Sequence, residues 1–251
     1  MKQYQRIGLI FTATFFLALP ASADTLFGVY AGAGTWRQEL NGEIATGPID
    51  IDVQDDLALD DELNNVMYLA IEHPLPFVPN IRLNYTDLSL SGESVLSRPI
   101  EFNNIVFNLS EAIATDVDVT QTDLVLYYEL LDNVVSLDVG VAARWIDGEF
   151  SLMSLNQTAR AQFDVVIPTA YVKVRADLPF SGFWIGAEMQ ASGYKGNDLI
   201  DANAQIGWES PLRLGAELGW RTFDVEFNDL GDIAEAGLDI SGPYFAFNFH
   251  F

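Results

Sequence analysis

The clearest pattern in this chain is an alternation of apolar and polar positions near its C-terminus. Between residues 242 and 251 a phenylalanine recurs at every second position: Phe245, Phe247, Phe249 and Phe251. A period of two is typical of a β-strand with one apolar face. In water such a face needs a second protein layer over it, and the chain shows almost no helical pattern to supply one. The alternation therefore favours a strand whose apolar face is covered by lipid.

The same alternation recurs along the chain and predicts ten strands. They cover residues 25–38, 65–73, a third strand starting at 81, then 118–130, 135–145, 162–176, 183–190, 200–208, 212–221 and 242–251. In the third strand the apolar parity changes after Asp87, from Leu83 and Tyr85 to Leu88 and Leu90. That change indicates either a β-bulge or the exit of the strand from the membrane.

These strands predict an all-β fold, namely a single antiparallel up-and-down transmembrane β-barrel of ten strands. An even number places both termini on one side, which we expect to be the periplasm. Short connections follow strands two, four, six and eight, whereas long connections are predicted at 39–64, 92–117, 147–161 and 228–236. Short periplasmic turns and longer external loops are typical of outer-membrane barrels.

The first 23 residues predict a cleaved secretory signal peptide, which leaves a single barrel domain at 24–251. Lys2 and Arg6 precede an apolar run at 7–19, and Ala21 and Ala23 form a small-residue cleavage pattern. The alternative is an anchor helix, but 13 apolar residues are too few to span a bilayer.

Composition excludes several classes of function. The chain has no cysteine, so disulfides, thiolate catalysis and cysteine–metal sites are excluded. Its formal net charge of −24 makes nucleic acid a poor partner, because binding nucleic acid needs clustered cations.

The inward faces of the predicted strands carry charges of both signs, which we expect to form ion pairs in the lumen. The predicted network comprises Glu72, Arg82, Asp123, Glu129, Asp138, Arg144, Lys173, Arg175, Glu188, Asp201, Arg213, Glu217 and Arg221. A barrel of about eight strands is filled by its own side chains. The predicted lumen is therefore largely filled, and the alternative is a narrow polar conduit lined by Arg82, Arg144 and Glu188.

The acidic excess concentrates between Glu39 and Glu62, a segment with nine acids and no base. Candidate Ca²⁺ or Mg²⁺ ligands are Asp50, Asp52, Asp55, Asp56, Asp60 and Asp61. The spacing matches no EF-hand, and such runs are commonly just solvated. A bound divalent cation would link this loop to lipopolysaccharide phosphates; no other cofactor is predicted.

Histidine placement argues against catalysis. His73 and His250 are the two histidines of the chain, and both map to the periplasmic rim of the predicted barrel. A paired carboxylate site such as Asp123 with Glu188 has no further support. No catalytic residue is therefore assigned.

Three stretches and the phenylalanine-rich end resemble a family of small Gram-negative outer-membrane β-barrel proteins of about 250 residues, whose function is unassigned. The stretches are 26–36 (LFGVYAGAGTW), 55–62 (DDLALDDE) and 72–80 (EHPLPFVPN). The resemblance implies the barrel and an outer-membrane location, and it carries over no site residues.

We therefore expect a non-enzymatic envelope protein with acidic external loops. Its expected partners are outer-membrane lipid, lipopolysaccharide and, through the C-terminal strand, the outer-membrane assembly machinery. A narrow solute or ion channel is the alternative, and an outer-membrane hydrolase or lipid-modifying enzyme comes third.

Overall fold

A computed structural model of the chain describes residues 27–47, 49–194 and 196–251. The predicted signal peptide lies outside these residues. The strands of the described part are β1 (Gly28–Ala45), β2 (Ile51–Asp52), β3 (Glu62–Glu72), β4 (Asn80–Asp87), β5 (Leu90–Val95), β6 (Ile100–Phe102), β7 (Ile105–Phe107), β8 (Ala112–Asp132), β9 (Val135–Met153), β10 (Thr158–Asp177), β11 (Phe183–Tyr194), β12 (Asn197–Glu209), β13 (Leu214–Leu230) and β14 (Ile233–His250). No helix in the described ranges is long and apolar enough to cross a membrane.

Ten strands form a closed antiparallel barrel in the order β1, β3, β4, β8, β9, β10, β11, β12, β13 and β14. The barrel closes where β14 pairs with β1. At the seam the Val29 amide donates to the Phe251 carbonyl at 2.9 Å, and the Phe251 amide donates back at 2.8 Å. The predicted ten-stranded up-and-down barrel is confirmed.

The two ends of the barrel differ. The turns after β3, β8, β10 and β12 lie at one end together with Phe251, and we call it the turn end. The opposite end carries β2, β5 and the β6–β7 hairpin, and we call it the loop end.

Of the four long connections predicted at the loop end, those at 147–161 and 228–236 are mostly strand, and those at 39–64 and 92–117 are shortened by extended strands. The segment predicted as a loop at 147–161 is mostly β9 and β10, which pair from Met153 opposite Thr158 onward. The segment at 228–236 narrows to a turn at Gly231, whose φ is 59°. The other two segments contain β2, β5, β6 and β7 and the extended ends of β1, β3 and β8. Alternation continues through these segments with its polarity reversed, which is why a search for outward apolar residues misses them.

The parity change after Asp87 is a reversal of polarity within one continuous register. Arg82 pairs opposite Val125 and Leu90 opposite Val117, so β4 and β5 keep the same alignment against β8. The Leu88 amide bridges the two strands by donating to the Val119 carbonyl at 2.8 Å. No bulge separates them.

Strand β8 shows the reversal most simply. In its second half Leu124 and Leu126 face outward and are exposed, while Asp123 faces inward and is buried. In its first half Asp116 and Asp118 face outward, while Val117 faces inward. We call the levels of the barrel beside β8 residues 123–132 the turn half, and those beside residues 112–121 the loop half.

The loop half encloses an apolar core. Two segments cover this core at the loop end, residues 49–61 and 96–111, and we call them together the cap. The cap contributes fully buried Ile51, Leu57, Phe102 and Phe107, and the barrel contributes Phe150 and other apolar side chains. The loop half is thus built like a water-soluble β-barrel.

Candidate functional site: the lumen

The turn half encloses a polar cavity of about 360 Å³. Its wall carries charged side chains and the tyrosines Tyr30, Tyr68, Tyr127 and Tyr244. Asp132, Asn133, Asp177 and Glu209, which lie beside the turns, also line it. The cavity therefore opens at the turn end.

Arg144 is the centre of an ion-pair network at the deep end of this cavity. Its Nε lies 2.7 Å from Asp123 Oδ1, and its Nη2 lies 2.8 Å from Asp201 Oδ2. Asp201 is shared with Arg221, whose Nη1 also donates to Thr86 Oγ1 at 3.0 Å. Arg144 is completely buried. Buried charges of this kind are tolerated when paired and hydrogen-bonded.

Further arginines line the wall nearer the opening, and each stacks on an aromatic ring. Arg82 lies 4.2 Å from the Tyr68 ring centroid and 3.6 Å from Glu188 Oε2. Arg175 lies 4.5 Å from the Trp184 ring centroid and 2.8 Å from Asp177 Oδ1. Stacking fixes each guanidinium plane while the carboxylate takes up its donors.

Five other predicted network members line the same cavity: Glu72, Glu129, Asp138, Lys173 and Glu217. Glu72 accepts a hydrogen bond from the Tyr127 hydroxyl at 2.8 Å, and Glu217 accepts one from Asn248 at 3.2 Å. Lys173 is paired across the sheet with Asp138 on one side and Glu188 on the other. The structure thus brings twelve of the thirteen predicted residues to the turn-half lumen.

Arg213, the remaining predicted member, does not lie on a strand. It belongs to the turn between β12 and β13, with a φ of 60°, and its amide donates to the Ser210 carbonyl at 2.9 Å. This turn ends at Arg213, so β13 begins only at Leu214 and the alternation does not extend back to Arg213.

The lumen is closed above the Arg144 network. The loop-half core contains a small space of about 50 Å³, with a wall of apolar side chains that includes Phe150, Phe163 and Phe227. An apolar space of this size holds no stable water, because water there finds no polar partner. The polar cavity is therefore closed at its inner end.

The acidic segment forms part of the cap, and its carboxylates are engaged separately. Asp56 is buried and accepts a hydrogen bond from Arg98 Nε at 3.1 Å. Asp52 accepts from the Gln54 amide at 2.8 Å, and Asp61 pairs with Arg37 at 2.7 Å. The remaining candidates, Asp50, Asp55 and Asp60, are exposed.

These contacts do not gather the candidate cation ligands into one site. Among the described residues, no group of three or more histidine, aspartate or glutamate side chains could hold a metal ion. The hydrogen bond to Asp56 raises the pKa of Arg98. The sequence pattern did not identify Arg98 as a partner of Asp56. Apolar residues among the acids at 51–59 do indicate that this segment is packed.

Both histidines lie at the turn end and are held by local contacts. His73 Nδ1 accepts from the Leu75 amide at 3.2 Å, and its Nε2 lies 3.2 Å from the Pro79 carbonyl oxygen. The His250 ring stacks on Tyr30 with centroids 4.0 Å apart.

Comparison with known proteins shows the fold. No protein family model and no curated protein matches the sequence. The structure is similar to that of the outer membrane protease OmpT from Escherichia coli, with a TM-score of 0.56 and 10% identity over 93% of this chain and 98% of that chain.

Two weaker similarities are to Ail, the attachment invasion locus protein of Yersinia pestis in complex with the heparin analogue sucrose octasulfate, and to the transport unit of the autotransporter AIDA-I from Escherichia coli. Ail gives a TM-score of 0.40 at 11% identity over 88% of this chain and 99% of that chain. AIDA-I gives 0.40 at 10% identity over 92% of each. The similarity to OmpT shows that the chain has the fold of an outer-membrane β-barrel.

Proposed function

We propose that this protein resides in the bacterial outer membrane as a non-conducting, non-enzymatic barrel that acts at the envelope through its loop-end surface. In this arrangement the turn half crosses the lipid, the turn end faces the periplasm and the acidic loop half stands outside the cell. The apolar outer face of the turn half and the fold shared with outer-membrane proteins support this placement.

The apolar core that fills the loop half is the observation that carries the proposal. A conducting pore needs a continuous wetted path, and here the path ends at the Arg144 network, with Phe150, Phe163 and Phe227 beyond it. Opening a route would require removing several fully packed side chains, each costing a few kcal/mol.

Planar-bilayer recording tests the proposal. The folded, inserted protein should produce no stable current steps, and insertion is confirmed in parallel by protease protection of reconstituted vesicles. Reproducible open steps from inserted protein would overturn the proposal and favour a channel.

A channel is the second candidate, because the polar cavity of about 360 Å³ reaches halfway through the barrel. It would then require the cap to move. Under that alternative, Arg98→Met should increase the frequency of current steps, because Arg98 ties the two cap segments together through Asp56 and the Asp50 carbonyl.

The non-enzymatic part of the proposal is supported by the histidines. His73 is held by backbone groups of the β3–β4 turn, and His250 is stacked on Tyr30. OmpT is a protease, but at 10% identity the similarity extends to the fold and does not bring its activity to this chain. Hydrolysis of peptide or lipid-ester substrates by purified protein, lost in His250→Ala, would contradict this part.

A further inference from the structure

Three turns at the turn end share a feature that the barrel itself does not require. In each, a proline is followed directly by a large apolar residue whose side chain is almost fully exposed. The residues are Phe77 after Pro76, Phe180 after Pro179 and Leu212 after Pro211, with exposed fractions of 93%, 109% and 78%. Most turn residues are polar or small, so three exposed apolar tips at one end need an explanation.

The backbone makes the two phenylalanines more unusual. Phe77 has a φ of 69° and Phe180 a φ of 62°, in the left-handed region that aromatic residues rarely adopt. Their exposure shows that little packing within the described chain offsets this conformation. An exposed apolar side chain of this size lowers its free energy by leaving water, so an apolar or interfacial layer beside the turns would stabilise both residues.

The side chains of Phe77, Phe180 and Leu212, which we call the tips, continue the apolar outer face of the turn half without an intervening polar residue on that face. The outward residues next to the turns are exposed and apolar: Ile71 and Ile81 beside the first, Phe183 beside the second and Leu214 beside the third. Leu155 at the loop end makes a useful contrast. It is 98% exposed, but the outward carboxylates Asp147 and Glu149 separate it from the apolar face.

The tips lie just beyond the last outward apolar residues of the strands. Phe180 precedes Phe183 by three residues, in a turn closed by the Leu178 amide donating to the Phe183 carbonyl at 2.8 Å. The layer next to the hydrocarbon on each side of a bilayer is the polar headgroup layer, about 5 to 8 Å deep.

We propose that Phe77, Phe180 and Leu212 insert into the lipid headgroup layer and anchor the turn end of the barrel there. The occupant of this surface is therefore the lipid of the leaflet at the turn end. The anchor holds the opening of the polar cavity at headgroup level. This proposal rests on the proposed membrane location.

Single cysteines test the anchor cleanly, because the chain contains no native cysteine. Phe77→Cys, Phe180→Cys and Leu212→Cys are each labelled with a polarity-sensitive fluorophore and folded into phosphatidylcholine vesicles. Each label should give blue-shifted emission and be quenched by a nitroxide attached to the lipid headgroup. Heat-modifiable migration on gels confirms that each labelled variant is folded.

Two further variants separate the anchor from the membrane location itself. Leu218→Cys lies on the outward face of β13 and should report hydrocarbon, whereas Leu155→Cys should report water. Water-like emission from all three tips, with Leu218→Cys in hydrocarbon, overturns the anchor and leaves the membrane location intact. Water-like emission from Leu218→Cys as well overturns the proposed location.

Discussion

The turn half and the loop half of the barrel are built from the same strands with opposite chemistry. On β8, Leu124 and Leu126 face outward below the boundary, and Asp116 and Asp118 face outward above it. Inside, the order is reversed, from Asp123 to Val117. Strand geometry and register do not change across the boundary, so the difference lies in what surrounds each half.

In the proposed membrane location, this difference follows from the solvent around each half. A turn half in lipid would carry its apolar side chains outside and satisfy its charges within, through Arg144, Arg221 and their carboxylates. A loop half in water would pack its apolar side chains inside as a soluble barrel does. Three experiments test this division.

The largest effect is expected from Arg144→Met. The change leaves Asp123 and Asp201 buried with one cation fewer, and removing one partner of a buried ion pair costs about 3 to 5 kcal/mol. Urea unfolding of vesicle-folded protein, followed by tryptophan fluorescence, measures the loss. Arg160→Met is the matched control, because Arg160 pairs with Glu149 on the exposed outer face of the loop half. Equal losses in both variants would contradict a buried network.

A matched pair on the outer face of β8 should give the next largest effect. Leu126→Arg places a cation on the apolar face and should reduce the free energy of unfolding by about 2 to 4 kcal/mol. Asp118→Arg, on the same face in the loop half, should change it by less than about 0.5 kcal/mol. The same unfolding assay applies. If the two variants behave alike, the boundary between the halves is misplaced or absent.

The smallest effect is expected in the cap. Arg98→Met leaves the buried Asp56 carboxylate without its cation, at a cost of about 1 to 3 kcal/mol that falls on the cap. Hydrogen exchange should quicken at 49–61 and 96–111 and stay unchanged in the turn-half strands. Faster exchange throughout the barrel would show that the cap and barrel unfold as one unit.

Much of the barrel is predictable from the sequence, because outward apolar positions repeat at every second residue. The C-terminal strand, the strand count and the pairing of Arg144 with lumen carboxylates all depend on that pattern. The extended strands of the loop half were missed for a physical reason. From Leu88 and Leu90 onward the apolar side chains face inward. A search for outward apolar residues therefore ends at the boundary between the turn half and the loop half.

The cap and Arg213 show a second limit. Pairing of Asp56 with Arg98 joins residues far apart in the chain, and no local pattern connects them. Arg213 fits the alternation of its neighbours, yet its amide closes the turn onto Ser210 and β13 begins one residue later. Long-range partners and the first residue of a strand depend on tertiary contacts that periodicity does not contain.

The reversal along each strand also sets the depth at which the barrel would sit in a membrane. In a membrane, sinking the barrel by two residues would immerse the Asp147 carboxylate in hydrocarbon, and raising it would lift leucines into water. Both displacements are unfavourable on every side of the barrel. A membrane-inserted barrel is therefore held at one position along the membrane normal, whereas a uniformly apolar cylinder would not be. Its depth of immersion is encoded in the sequence itself.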